Sequence, residues 1–261
     1  MKIDQIREKV KGIPYMTLTQ AETITDVILG NQFQNILELG FGHGVSTCYI
    51  AGAVDDLGRG TITTIDSITA RQAEPNIEHL LGSLGLAKYV TIFYEPTSYI
   101  WQLMKMLEES PSPRFDFCYI DGAHDWFVDG FAFFLVDRLL KPGGLIIFDD
   151  LDWTFESSPT RKDTQRVKRM PQEEKSTPQI RKVYELLVKP HPAYGEFMEK
   201  DGWAYACKTS TESNPTSYGI RKEIVYRREY VGLCAAILKI VSKITSKLKI
   251  VYHRLISYSL T

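Results

Sequence analysis

Three acidic residues stand where acids can do chemistry. Asp121 follows the apolar run FDFCYI (115–120), and Asp149 and Asp150 follow LIIF (145–148). If both runs are neighbouring parallel strands, their carboxyl ends lie side by side above one sheet edge, where open α/β sheets bind ligands. Carboxylates gathered there repel one another and raise each other's pKa unless a cation sits among them. An oxygen-only set suits a hard ion such as Mg²⁺ or Ca²⁺. A second group lies upstream, where the run NILEL (35–39) leads into Glu38-Leu39-Gly40-Phe41-Gly42-His43-Gly44. Glycines permit a sharp turn there and let a ligand lie against bare backbone at a helix N-terminus. A dinucleotide fingerprint needs its third glycine three residues after the second, and that position is Val45. No Gly-Lys-Ser/Thr follows either, which excludes a Walker phosphate cradle. Asp66, which closes TITTI (61–65), is placed to accept hydrogen bonds from two ribose hydroxyls.

The rest of the pattern says what must hold these residues. Apolar or β-branched runs at 35–39, 61–65, 90–94, 115–120 and 145–148 alternate with helical stretches at 45–54, 77–86, 100–109 and 127–140. Such alternation predicts right-handed βαβ crossovers and a parallel sheet. Two helices precede it, over 2–11 and from a Thr19 cap to about Leu29, with Glu22 at capping-box spacing. Lys141-Pro142-Gly143-Gly144 is expected to close the helix before the fifth strand. Residues 154–178 are polar and Pro-containing and read as a long loop or lid; a helix is expected at 180–188. Runs at 195–199 and 203–208 flank Lys200-Asp201-Gly202, and Asp-Gly is a hairpin signal. The expected organisation is N-terminal helices over 1–30, an α/β domain over 31–208, a linker over 209–219 and a basic helix over 220–261.

The pattern E-x-G-x-G-x-G resembles motif I of the class I S-adenosylmethionine-dependent methyltransferases. Ile-Asp-Gly-Ala-His (120–124) followed by LLKPGGLIIFDD (139–150) resembles the metal-dependent O-methyltransferases of the catechol, caffeoyl-CoA and macrolide-sugar types. The resemblance spans roughly residues 17–208. It implies a Rossmann-like, doubly wound α/β/α sandwich with seven strands, the last two an antiparallel hairpin. It implies S-adenosylmethionine contacts at Glu38, Gly40, Phe41, Gly42, His43, Gly44, Asp66, Thr97 (or Ser98, toward adenine) and Asp121. It implies a divalent cation on Asp121, Asp149 and Asp150, with Asp121 and His124 catalytic and His124 the base. Asp125, Asp152 and Trp153 are nearby candidates for substrate contact. The methyl acceptor would be a hydroxyl of a sugar or other small metabolite. Two alternatives stay open: a metal-independent N- or O-methyltransferase, in which one of the paired acids only caps or is solvated, and a non-catalytic cofactor-binding scaffold at a membrane surface.

Bulk properties narrow the class. The 261 residues carry a net charge of −1 and 44% hydrophobic residues, ordinary for a globular chain. Residues 232–261 hold Lys239, Lys243, Lys247, Lys249, Arg254 and no acid, a net +5, which leaves −6 for 1–231. An acidic body without an Asn-Pro-Pro-Tyr-like tetrad disfavours nucleic acid. Cys48, Cys118, Cys207 and Cys234 have no metal or disulfide spacing and are expected to be reduced thiols of a cytoplasmic protein. The charged N-terminus has no signal-peptide core, and no run is apolar enough to span a membrane. From Ile237, residues Ile240, Val241, Ile244, Leu248, Val251 and Leu255 share one helical face and the lysines the other. That amphipathic pattern predicts contact through 232–257 with an anionic inner-membrane surface, a second copy or its own domain.

Overall fold

The computed structural model describes residues 3–210, so the tail, most of the expected linker and Cys234 lie outside the described residues. Two helices lead, α1 (Ile3–Val10) and α2 (Leu18–Asn31), followed by β1 (Asn35–Leu39), α3 (Val45–Leu57), β2 (Thr61–Ser67), α4 (Ile77–Leu84), β3 (Val90–Glu95), α5 (Tyr99–Glu109), β4 (Phe115–Ile120), α6 (Trp126–Leu139) and β5 (Leu140–Phe148). Short helices α7 (Gln165–Arg169), α8 (Gln172–Ser176) and α9 (Gln179–Val183) precede the hairpin β6 (Tyr194–Lys200) and β7 (Trp203–Lys208). Among the described residues, seven strands form one sheet in the order β3-β2-β1-β4-β5-β7-β6. The first five are parallel; β7 runs antiparallel to both β5 and β6.

The sheet is covered on both faces, which is why its central strands read as continuous apolar runs. One core joins α1–α4 to residues such as Ile36, Ile62, Phe117 and Ile147. The other joins α5, α6 and α9 to Leu37, Ile65, Cys118, Ile146 and Phe148. Every residue from 45 to 54 in α3 is buried. Gly52 lets α1 approach: a Cβ there would sit 2.5 Å from Ile6 Cδ1.

Several boundaries differ from expectation. Thr17, not Thr19, caps α2, in a capping box with Gln20; the Gln20 side chain accepts from the Thr17 N–H at 2.9 Å. Thr-x-x-Gln and Thr-x-x-Glu are equally good on paper, and the earlier one forms, its Thr17 Oγ1 accepting from Gln20 N–H at 3.2 Å. Residues 141–144 do not separate helix from strand. They bulge out of β5, whose pairing with β4 shifts between Phe115 and Phe117. The expected 180–188 helix continues past α9 as one wide π-helical turn over Tyr184–Val188. The 154–178 stretch is not structureless, since it holds α7 and α8. At Asp201-Gly202 both φ values are positive (53° and 82°), as a two-residue type I′ hairpin turn requires. No described helix is long and apolar enough to cross a membrane.

Candidate active site

Strand order reverses between β1 and β4, and a crevice opens there at the carboxyl ends. The register aligns its floor. Leu39 pairs with Ile65 and Ile120, and Ile120 pairs with Phe148. One residue further on lie Gly40, Asp66, Asp121 and Asp149, and the ladder continues through them. The Gly40 N–H donates to Ile65 O (2.9 Å), Asp121 N–H to Leu39 O (2.8 Å) and Asp149 N–H to Ile120 O (2.9 Å). Above this row is a cavity of about 690 Å³, lined by most of the glycine loop and the start of α3, by Asp66, Thr69, Ala70, Gln72 and Ala73, and by Asp121, His124, Asp149, Asp150, Trp153 and Ser158–Arg161. The volume is that of a small-molecule site.

At one end the glycine loop turns into α3. Gly44, at φ 91°, packs against Ile77 and does not itself line the cavity, contrary to expectation; it offers no side chain to cap the first turn, and Val45 and Ser46 of that turn line the cavity. Asp66 Oδ2 accepts from the Phe41 and Gly42 N–H groups, both at 2.8 Å, and Oδ1 from Ser67 N–H at 2.5 Å. Its carboxylate thus shapes the loop first and keeps spare acceptor capacity on Oδ1. His43 Nδ1 lies 2.7 Å from Pro75 O. A carbonyl only accepts, so the proton sits on Nδ1 and Nε2 stays available. Tyr15 stacks on the His43 ring, centroids 5.8 Å apart, and closes this end.

Glu38 lies beneath the loop and does not line the cavity. Its carboxyl is fully buried and takes hydroxyl hydrogen bonds from Ser46 (2.5 Å), Thr47 (2.5 Å) and Thr64 (2.6 Å). Burial outweighs those bonds and pushes its pKa up to about 7. The folded value exceeds the ordinary 4.5, so between these two pH values the native state binds more protons than the unfolded one. Stability is therefore complete below pH 4.5 and lost as pH rises through 7, by about 3 kcal/mol at about 1.4 kcal/mol per unit. Urea midpoints for wild type and Glu38→Gln at pH 5 and 8 check this: the variant's difference between the two pH values is expected to be smaller by most of that amount. An unchanged difference would contradict the burial argument.

At the other end Asp121, His124 and Asp150 converge, with one ligand-capable atom from each within 4.8 Å of the others. His124 Nε2 is 3.7 Å from Asp121 Oδ1 and 3.7 Å from Asp150 Oδ2. Both His124 (φ 57°) and Asp150 (φ 54°) are left-handed, a conformation that turns the chain back over the crevice. Packing holds that shape. Gly122 rests on the Tyr99 ring, the Tyr99 hydroxyl accepts from Ala123 N–H and donates to buried Asp129, and Asp129 Oδ2 accepts from Asp125 N–H at 3.0 Å. Burial and the charges of Asp149 and Asp150 raise the Asp121 pKa far above the carboxylate range. Burial and Asp149 raise Asp150 to about 6, partly offset by Arg161. Burial and then the Arg161 charge lower His124 to about 3.

The acidic set differs from the one the resemblance implied. Asp149 lines the cavity but stands apart from the convergent trio: its Oδ2 accepts from the Tyr119 hydroxyl and its Oδ1 from Asp150 N–H at 2.6 Å. His124 takes the third place. Thr97 does not line the cavity, and Ser98 is occupied in capping α5, accepting from Ile100 N–H at 3.3 Å; Thr69, Ala70, Gln72 and Ala73 line the cavity instead. Of the three nearby candidates only Trp153 lines the cavity. Asp125 caps α6 and pairs with Arg166 at 2.7 Å, and Asp152 forms a two-point pair with Arg181 at 2.5 and 2.8 Å. Tyr15, Ser158, Thr160 and Arg161 complete the wall. No motif marks them; the one signal in the sequence is the unusual charge of 161–169.

This strand order, with a reversed seventh strand and a crevice between β1 and β4, is that of the class I methyltransferases. Residues 37–151 match the family model described as a methyltransferase domain. The O-methyltransferase TomG from Streptomyces achromogenes, involved in tomaymycin synthesis and solved with S-adenosylmethionine, is 17% identical (TM-score 0.59; 80% of this chain, 89% of that one). A putative caffeoyl-CoA O-methyltransferase from Staphylococcus aureus is 25% identical (TM-score 0.56; 80% and 92%). An O-methyltransferase from Bacillus cereus, solved with S-adenosylhomocysteine, is 20% identical (TM-score 0.56; 79% and 90%). No curated protein matches the sequence. The chain thus carries a methyltransferase-domain match over residues 37–151 and shares the fold of these O-methyltransferases.

Proposed function

We propose that the enzyme methylates a hydroxyl oxygen of a small acceptor, with a divalent cation at the acidic end of its cavity. The observation that carries this reading is the meeting of Asp121, His124 and Asp150 in the same cavity as the glycine loop. The donor set fits a hard or borderline cation: two carboxylates and one imidazole, brought close at a cost in mutual repulsion that a cation removes. The loop end fits the methyl donor, with an uncapped helix terminus, bare glycine backbone and an Asp66 oxygen for a ribose hydroxyl. Bound S-adenosylmethionine supplies an activated methyl on its sulfonium, and a bound cation lowers the pKa of an acceptor hydroxyl.

The chain's own part is placement and exclusion of water. Gly40, Phe41, Gly42, His43 and Asp66 form the donor end; Asp121, His124 and Asp150 would hold the cation; Trp153 and Ser158–Arg161 wall the acceptor side. His124 is assigned to the cation and not to the base role that the resemblance implied. A neutral imidazole is what a metal requires, while a group held at about 3 is a poor proton acceptor near neutral pH. Asp149 positions Asp150 by accepting its N–H.

The metal-independent reading also has an observation in its favour, since the Arg161 cation already faces the acidic end. Chelation decides between them. After EDTA and dialysis, methyl transfer to a mixed pool of hydroxylated metabolites, followed by mass spectrometry, is expected to fall at least about tenfold and to return with Mg²⁺. Mg²⁺ is also expected to raise the Tm of wild type and not of Asp150→Asn. Turnover and Tm indifferent to both treatments would leave the metal-independent enzyme.

A further inference from the structure

The wall facing the acidic end includes Pro159, Thr160 and Arg161, which open the most basic stretch among the described residues. Residues 159–170 carry Arg161, Lys162, Arg166, Lys168 and Arg169 against one acid, Asp163, a net +4 in a body that is otherwise acidic. The stretch is folded down, not loose. Val167 is buried, and Arg166 pairs with buried Asp125. Arg161 reaches into the cavity and is fixed by neutral partners: its Nη1 donates to Ala123 O at 2.7 Å and its Nη2 to Gly122 O at 3.3 Å. Its guanidinium lies 5.6 Å from the centre of the Trp153 ring. A guanidinium has five N–H donors, and two are used here. Among the described residues, no carboxylate lies within ion-pair distance of Arg161, Lys162, Lys168 or Arg169. A held guanidinium with no described carboxylate in ion-pair distance and three donors to spare is an arrangement that recognises an oxyanion.

From this we infer that the methyl acceptor is an anion: a hydroxylated molecule whose phosphate or carboxylate is held by Arg161, with the net positive charge of the following residues, Lys162, Lys168 and Arg169 among them, adding a longer-range attraction. The inference rests on the methyltransferase reading of the same cavity. The cavity is electrically polarised, with Asp121, Asp149 and Asp150 on the floor and Arg161 on the lid. An acceptor with charge at one end and hydroxyl at the other can lie in it one way round, with the hydroxyl toward Asp121, His124 and Asp150. The reverse pose sets its anion against three carboxylates.

Calorimetry on the full-length protein, loaded with S-adenosylhomocysteine and Mg²⁺, tests this with matched probes. One set is glucose, glucuronate and glucose 6-phosphate; the other is 3,4-dihydroxybenzyl alcohol and 3,4-dihydroxybenzoate. In at least one set the charged member is expected to bind about tenfold or more tightly than the neutral one, and more weakly at high salt. The carboxylate and phosphate arms identify which anion is preferred. Arg161→Gln is expected to remove the preference, Arg161→Lys to restore part of it, and Lys168→Glu with Arg169→Glu to weaken its salt dependence. Equal affinities for charged and neutral members, absence of binding by every charged member, or a preference that survives Arg161→Gln would each overturn the inference. Loss of S-adenosylhomocysteine binding by wild type would instead overturn the reading beneath it.

Discussion

Replacing Asp121 with asparagine is expected to cut methyl transfer at least about a hundredfold while leaving the fold as stable as wild type or more so. The two effects have one cause. Asp121 shares the crevice floor with Asp149 and Asp150, and burial, followed by their charges, raises its pKa well above the ordinary range. A carboxylate in that position costs the empty protein stability, and the near-isosteric amide removes the charge without opening a cavity. The same charge is what a cation at Asp121, His124 and Asp150 needs, so activity should move opposite to stability. Thermal unfolding without metal, beside mass-spectrometric assay of product, measures both. A variant that loses Tm in step with activity would make Asp121 a structural residue, and one that keeps activity would remove it from the site.

Gly40→Ala is the second large effect, and it acts through the backbone. Gly40 has φ 89°, and a Cβ there would lie 2.1 Å from Asp121 O, 2.6 Å from Asp121 C and 2.6 Å from Gly122 Cα. None of these is the end of a flexible side chain. Relief requires β1 and β4 to part at the point where Asp121 N–H donates to Leu39 O. Left-handed strain of about 1–2 kcal/mol and overpacking of about 1–3 kcal/mol predict a loss of about 2–5 kcal/mol. That is a large share of a stability of about 5–15 kcal/mol. Gly42→Ala is the control. It too has positive φ (51°), but its Cβ would meet the edge of the Tyr15 ring at 3.6 Å, an ordinary contact. Urea unfolding should rank Gly40→Ala well below Gly42→Ala; equal midpoints would show that the β1–β4 contact yields more easily than its geometry implies.

The amino-acid sequence by itself determined the sheet and the address of the site. Buried parallel strands need continuous apolar runs, turns need glycine, and the residue after each run must sit at the strand's carboxyl end whatever surrounds it; these are local constraints that spacing alone expresses. Hence Gly40, Asp66, Asp121 and Asp149 could be expected in one row, and they are in one. Only the tertiary structure decided what each side chain does there. Left-handed turns at His124 and Asp150 bring those two beside Asp121, while Asp149 is taken by Tyr119, a residue thirty positions away. Glu38 is sealed under the loop by Ser46, Thr47 and Thr64, and Asp66 is committed first to the loop's own N–H groups. Arg161 becomes part of the cavity because carbonyls of the β4–α6 turn receive its N–H groups. Residue type fixes which bonds a side chain can make; which partner arrives depends on the packing of distant segments, and no local pattern encodes that.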